Sequence, residues 1–175
     1  VTWLDADDYW TYKEKLKKQI GFLEANGDYI GTFHDAEIHC LIPAEGADEM
    51  SSRQAHREYK YYSQFNQYKS EFTPFDLLHH NLIATATLIF RSVDFTGFFN
   101  RFAGTTLSLN WALHLYIIQW SKFYYFNEVW SVYNDHNDGI SKRISSFDFN
   151  RLNILILKKY RWTRFYRQFI NYNYR

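Results

Sequence analysis

Two prolines and one cysteine are all that this 175-residue chain holds of either type. A single thiol, Cys40, rules out a disulfide framework within the chain and fits a reducing compartment. There is no low-complexity stretch and no internal repeat, so nothing reads as a linker, and the length suits one folded unit. No uninterrupted apolar run reaches the roughly 18 residues of a membrane span, and no signal peptide precedes the first apolar segment. Acids are missing altogether from residues 149–175, which hold seven bases, whereas residues 1–50 hold eleven acids against four bases. The net charge of +1 therefore hides an acidic end that suits cations and a basic end that suits anions, or else two solvated faces.

What is present is a core. The chain is 46% hydrophobic and 21% aromatic, a composition that argues against disorder. "VTWL" reads as the end of a strand. In "YKEKLKKQIGFLEANGD" the residues Tyr12, Leu16, Ile20 and Leu23 recur at helical spacing, and Asn26-Gly27 supplies a stop. Strands are predicted at "YIGTFHD" and "AEIHCLI", and a polar excursion loop at 43–58. A short helix is predicted at "TPFDLLHHN", capped by Thr73 with Pro74 in its first turn, and a strand at "LIATATLIFR". "LSLNWALHLYIIQW" is apolar nearly all round and reads as a buried helix. "FYYFNEVWSVY" reads as one or two strands, "NDHNDGISK" as a loop, and residues 145 to about 170 as a helix, continuous or broken, opened by a Ser145/Asp148 capping box. The alternation predicts an α/β fold with a mixed sheet and flanking helices.

One stretch carries unusual chemistry. "WLDADDYW" places Asp5, Asp7 and Asp8 within four positions at a strand edge, where ligands of open α/β sheets bind. Asp5 and Asp7 offer hard oxygen ligands that suit Mg²⁺ or Mn²⁺. The alternative is plain helix capping by Asp7 or Asp8.

"WLDADDYW…KLKKQIGFLEANGDYIGTFHDAEI" resembles the family 2 glycosyltransferases, in which an apolar strand ends in an Asp-x-Asp motif followed by Asp, an aromatic and a Lys-Leu helix. "NLIATATLIFRS" is similar to that family's acceptor-side strand, and "LNWALHLYIIQWSKFYYFNEVWSVYNDHNDGIS" to its C-terminal signature. The resemblance runs in order from residue 1 to about 142. It implies a glycosyltransferase-A, Rossmann-like fold that lacks its N-terminal nucleotide-binding half, and hence a piece of a longer enzyme. Residues 1–144 would form the C-terminal portion of that domain and 145–175 a basic aromatic helical tail.

The implied reaction moves a sugar from a nucleotide-sugar donor to a hydroxyl acceptor, glycan or lipid-linked, in bacterial surface polysaccharide synthesis, with Mn²⁺ or Mg²⁺ as cofactor. By the same resemblance Asp7, Asp5 and His136 hold the metal, and Asp5, Asp7, Asp8 and Trp111 meet the nucleotide-sugar. The family's general base, an acid before a Trp, corresponds to Asn110. An amide cannot take a proton from an acceptor hydroxyl, so the alternative is an inactive remnant or interaction module that keeps the fold. Asp94, Asp135 and Asp138 are the other acids nearby in sequence.

The segment from Leu157 to Arg175 interleaves bases with aromatics. It reads as a helix packed through its aromatics or as a contact with an anionic membrane surface through residues 158–175; no module for nucleic acid is visible. The expected location is cytoplasmic, peripheral at most at the inner face of the membrane. His34, Asp35, Glu37 and His39 read as strand residues near the cleft mouth, His79 and His80 as helix-end or surface residues, and Cys40 as a small buried residue.

Overall fold

The structure, a computed structural model, describes residues 1–41, 60–65, 69–79, 81–103, 109–136, 145–161, 163 and 166–167. The excursion loop expected at 43–58, the acid Asp138 and most of the tail beyond Arg161 lie outside the described residues. Six strands form one sheet: β1 Tyr9–Trp10, β2 Tyr29–Leu41, β3 Lys60–Tyr61, β4 Glu71–Phe72, β5 Ile89–Phe90 and β6 Lys122–His136. Five α-helices flank it: α1 Lys15–Ala25, α2 Pro74–His79, α3 Thr96–Phe102, α4 Asn110–Ile118 and α5 Ser146–Tyr160. Among the described residues there are also two 3₁₀ turns, Tyr62–Phe65 and Thr85–Thr87.

The sheet is mixed. Its spine is the parallel pair β2 and β6, which runs from Tyr29↔Lys122 to Leu41↔His136 with shifts of register on the way. All other strands are short and antiparallel. Over the first half of the spine β5 flanks β2 and β4 flanks β6. Over the second half β3 flanks β2 and β1 flanks β6. The change falls at a bulge. His34 pairs with Phe126, Asp35 with Val129 and Ala36 with Ser131, so Asn127, Glu128 and Trp130 are extra residues on β6. Extra residues on one strand bend it and raise its twist, and the sheet curls.

Alternation along β2 sets the two faces. Phe33 joins Phe72, Phe123 and Tyr125 in the main core, which α2, α4 and α5 cover through Leu77, Leu115 and Ile156. Helix α4 is buried nearly all round, as its apolar sequence predicts. Helix α5 packs into this same core through Leu152, Ile156 and Tyr160, and the Tyr160 hydroxyl donates to the Ala112 carbonyl. On the opposite face α1 lies over Thr32, whose carbonyl and hydroxyl both accept from the Gln19 amide at 3.0 and 3.1 Å.

Several elements differ from expectation. Residues 1–4 form no strand, although Val1 and Phe90 exchange two backbone hydrogen bonds. "YIGTFHDAEIHCL" is one continuous strand, because the parallel ladder to β6 runs through Asp35 and Ala36 without a turn. "LIATATLIFR" yields only the two-residue β5. Before it the chain coils into the 3₁₀ turn, closed by the Thr87 hydroxyl donating to the Ala84 carbonyl at 2.7 Å. The strand β6 runs on to His136, through three residues expected to open a loop. Helix α3 has no counterpart in the sequence reading. The Asp94 carboxylate accepts from the Thr96 N–H at 2.9 Å ahead of it, and Gly97 admits the Tyr116 hydroxyl, which a Cβ would meet at 2.9 Å. Helix α5 starts as expected, with the Ser145 hydroxyl accepting from the Asp148 N–H at 3.1 Å, and runs to Tyr160, with Tyr166 and Arg167 helical beyond the turn at Arg161.

Of the apolar stripe expected along α1, Leu23 is buried but Leu16 and Ile20 are turned away from the sheet. Leu16 and Ile20 are exposed, while Lys15, Gln19 and Leu23 are buried. Gln19 explains the rotation, since its amide donates to Thr32 and also to the Thr87 carbonyl at 3.0 Å. A buried amide with such partners would lose all of them if the helix rolled to bury Leu16 and Ile20.

Gly31 sits where three strands meet, paired with both Phe90 and Phe123. A Cβ there would stand 2.8 Å from the Ile89 carbonyl oxygen and 3.0 Å from the Phe123 ring. Gly31→Ala is therefore expected to destabilise by about 1–3 kcal/mol, the usual effect of overpacking. A urea midpoint equal to that of the wild type would show that the strands can separate without loss.

Candidate functional site

Parallel pairing puts the carboxyl ends of β2 and β6 side by side, with Leu41 opposite His136. The acid turn lies against the end of β6. Strand β1 follows the acids directly and pairs Tyr9 with Val132 and Trp10 with Ser131. The Asp8 N–H closes the turn onto the Asp5 carbonyl at 3.1 Å. Asn134 then stitches it down. Its N–H donates to the Asp8 carboxylate at 3.1 Å, and its side-chain amide donates to the Asp7 carbonyl. Trp10 anchors the far side, its indole N–H donating to the Ala86 carbonyl at 2.9 Å.

The acids are not equivalent. Asp8 is buried and engaged by the backbone of β6, whereas Asp5 and Asp7 are exposed. Burial, then the charge of Asp7, raises the Asp5 carboxyl above its ordinary value, as repulsion between close carboxylates does. A fourth acid, Asp135, arrives on β6. Between these acids stand two phenols. Tyr133 is pushed up to about 12 by burial, then by Asp135, Asp8, Asp7 and Asp5. Tyr62 is also raised, by burial first and then by Tyr133, Asp8 and Asp135. The two rings meet edge to face with centroids 5.7 Å apart. Tyr62 is held there by Asp35, a buried carboxylate that accepts from the Ser63 N–H and the Ala36 N–H, both at 2.9 Å. Burial raises the Asp35 pKa, and these bonds oppose the rise.

Asp5, Asp7, Asp8 and Asp135 thus all act on the phenol of Tyr133, which like that of Tyr62 stays protonated. Asp5 and Asp7 supply hard oxygen donors of the kind Mg²⁺ and Mn²⁺ prefer, and a cation would relieve their repulsion. Among the described residues no group of three or more His, Cys, Asp or Glu is gathered so that it could hold a metal ion by itself. The main chain of His136 lies at this edge; its side chain is outside the described residues. His39, also near the strand ends, pairs with Glu37 at 3.1 Å.

Asn110 and Trp111 start α4. The Asn110 amide donates to the Thr85 hydroxyl at 2.7 Å, one residue from the Ala86 carbonyl that holds Trp10. The 3₁₀ turn Thr85–Thr87 therefore links Asn110 to the acid turn through two hydrogen bonds. Trp111 is packed into the core, and its indole N–H donates to the Leu77 carbonyl at 2.7 Å; its role here is to seat α4 on α2. Asp94 is exposed and occupied with the start of α3.

A polar layer lies behind the acid turn, between α1 and the sheet. Lys15 is 1% exposed, with its ammonium 4.2 Å from the centre of the Trp10 ring, a cation–π contact. Among the described residues its Nζ has no hydrogen-bond acceptor, and burial lowers its pKa to about 8. His34 faces the same layer, and burial pushes it down to about 3, with the charge of Lys15 adding to the effect. The run "KEKLKK" hides Lys15 among solvated lysines, so no sequence signal marks it. Asn134 and Asp135 fall in the stretch read from the sequence as a loop, so nothing there signalled their places on β6.

Because the Asp8 carboxylate is buried and accepts from the β6 backbone while Asp7 is exposed, the two are expected to separate by melting. Asp8→Ala leaves the Asn134 N–H without its acceptor and is expected to destabilise by about 1–3 kcal/mol. Asp7→Ala should melt within about 0.5 kcal/mol of the wild type. Equal losses would make both acids structural.

Lys15 generates a second expectation. Its folded-state pKa lies below the ordinary 10.5, so between about pH 8 and 10.5 the unfolded chain holds a proton that the folded chain has released. Stability attributable to Lys15 therefore rises with pH through that window, by at most about 1.4 kcal/mol per pH unit. Lys15→Met should be more stable than the wild type at pH 7, and the gap should narrow as pH rises to 10. A gap that stays constant would place the Lys15 amine in water.

Compared with protein-family models the sequence matches none, and no curated protein matches it.

Proposed function

We propose that this chain carries the cation and diphosphate edge of a family 2-type glycosyltransferase, with a glycosyltransferase-A architecture around the mixed sheet. The observation that supports this most is the seating of the Asp5–Asp7–Asp8 turn against the carboxyl end of β6, beside that of its parallel partner β2. That position is where open α/β sheets bind ligands. The order of motifs along the chain adds the family resemblance.

In this reading Asp7, with Asp5, faces a Mg²⁺ or Mn²⁺ ion, and Asp8 keeps the turn in place. When bound, the ion offsets the negative charge of a leaving nucleoside diphosphate. Two carboxylates leave most of a divalent ion's positions to diphosphate oxygens and water. Tyr62 and Tyr133, protonated phenols among the acids, are hydrogen-bond donors toward such oxygens. The acceptor, a glycan or lipid-linked hydroxyl, attacks the anomeric carbon as the bond to the diphosphate breaks, and its proton must pass to a base. Asn110 occupies the family's base position but donates its amide to Thr85. That observation favours a second reading, a module that keeps the fold and the ligand edge without performing transfer.

Calorimetric titration of the 175-residue chain tests the ligand edge. A panel of nucleoside diphosphates with and without Mn²⁺ should show one Mn²⁺-dependent binder. Its affinity should fall at least tenfold in Asp7→Ala. Absence of any Mn²⁺-dependent binding, or an unaltered affinity in Asp7→Ala, would leave only the interaction module.

A further inference from the structure

Helix α5 has two stripes. Leu152, Ile156 and Tyr160 face the core and are 5%, 1% and 0% exposed. The other stripe, Arg151, Ile154, Leu155, Lys158 and Lys159, is exposed throughout. Its spacing of three, one, three and one keeps these five side chains in one row along the helix. Ile154 and Leu155, at 53% and 48% exposure, form an apolar centre. Arg151 stands one turn before them and the two lysines one turn after. Among the described residues none of the three cations makes an ion pair. The acid on this side, Asp148, sits at the helix start and takes the hydroxyl of Ser145 at 2.7 Å.

We propose that this stripe is a docking surface for an anionic lipid bilayer. Charge and polarity are matched to that partner in both halves. Long basic side chains reach headgroup phosphates while their stems lie along the acyl boundary. Two adjacent aliphatic side chains, unshielded on a folded surface, gain by entering the interface. A nucleic acid backbone would meet the bases but find nothing for Ile154 and Leu155. The sequence suggested membrane contact through residues 158–175. The stripe shares Lys158 and Lys159 with that segment and extends toward the N-terminus along a helix fixed against the core by Tyr160. No helix among the described residues is long and apolar enough to cross a membrane, so the contact is peripheral. The proposal is independent of any transfer chemistry at the acid edge.

The test is co-sedimentation of the full chain with vesicles of phosphatidylcholine alone or mixed with phosphatidylglycerol. The wild type should bind the anionic vesicles, lose that binding as salt rises, and bind the neutral vesicles weakly or not at all. Arg151→Gln, Lys158→Gln and Lys159→Gln should each weaken binding about fivefold. Ile154→Ser with Leu155→Ser should weaken it at unchanged charge, which an ion-exchange contact would not show. All five positions are exposed, so circular dichroism of the variants should match that of the wild type. Four results overturn the proposal: no binding of the wild type to anionic vesicles, binding insensitive to salt, glutamine variants that bind like the wild type, or retention by duplex nucleic acid or an acidic protein in place of vesicles. The salt titration needs no variant and decides alone if a variant fails to fold.

Discussion

The parallel ladder between β2 and β6 is the constraint on which the rest depends, and it joins segments some ninety residues apart. A parallel pair cannot be closed by a hairpin and needs a crossover that returns to the same end of the sheet. The chain between Leu41 and Lys122 therefore travels back to the start of β2, contributing β3, β4, β5 and helices α2, α3 and α4 on the way. Closing so long a loop costs conformational entropy that local contacts do not recover. The recovery comes from the aromatic core on one face, where Phe33 of β2 and Phe123 and Tyr125 of β6 meet the helices. The bulge at Asn127 and Glu128 then lets different short strands flank each half of the spine.

From that ladder follows the placement of the acids. They do not crown a strand of their own. They are carried to the end of β6 by β1, and Asn134 fastens them there with two hydrogen bonds. The arrangement divides labour among like charges. Asp8 gives its carboxylate to the backbone and is buried; Asp5 and Asp7 remain outward, and partial burial, then the charge of Asp7, raises the Asp5 pKa. Behind them Lys15 and His34 sit in a layer that water barely reaches, tied to the same Trp10 that anchors the turn.

Charge asymmetry along the chain becomes an asymmetry of surfaces. The acidic first segment supplies the turn at the strand ends, and the basic last segment supplies the outward stripe of α5. The exposed charges of the α5 stripe contribute little to the stability of the fold, whereas in the acid turn the buried Asp8 carboxylate fastens the chain to β6.

The sequence by itself determined what short-range physics decides. The buried helix α4 was legible because nearly every position from Trp111 to Ile118 is apolar, and a helix apolar all round has only the core to occupy. The start of α5 was legible because a Ser hydroxyl three residues before an Asp satisfies its own helix end. The end of α1 at Asn26 and the mixed α/β class were legible for similar reasons. Tertiary structure decided the rest. Whether α1 buries Leu16 and Ile20 or Lys15 and Gln19 depends on acceptors in Thr32 and Thr87, which periodicity cannot see. Whether "LIATATLIFR" extends or coils depends on Trp10 and Asn110 arriving at Thr85–Thr87. Asp5, Asp7 and Asp8 could be picked out as unusual from their spacing alone. Their meeting with Tyr62, Tyr133 and Asp135 was not readable, because it rests on a parallel ladder between distant segments, and that pairing is set by the core they share.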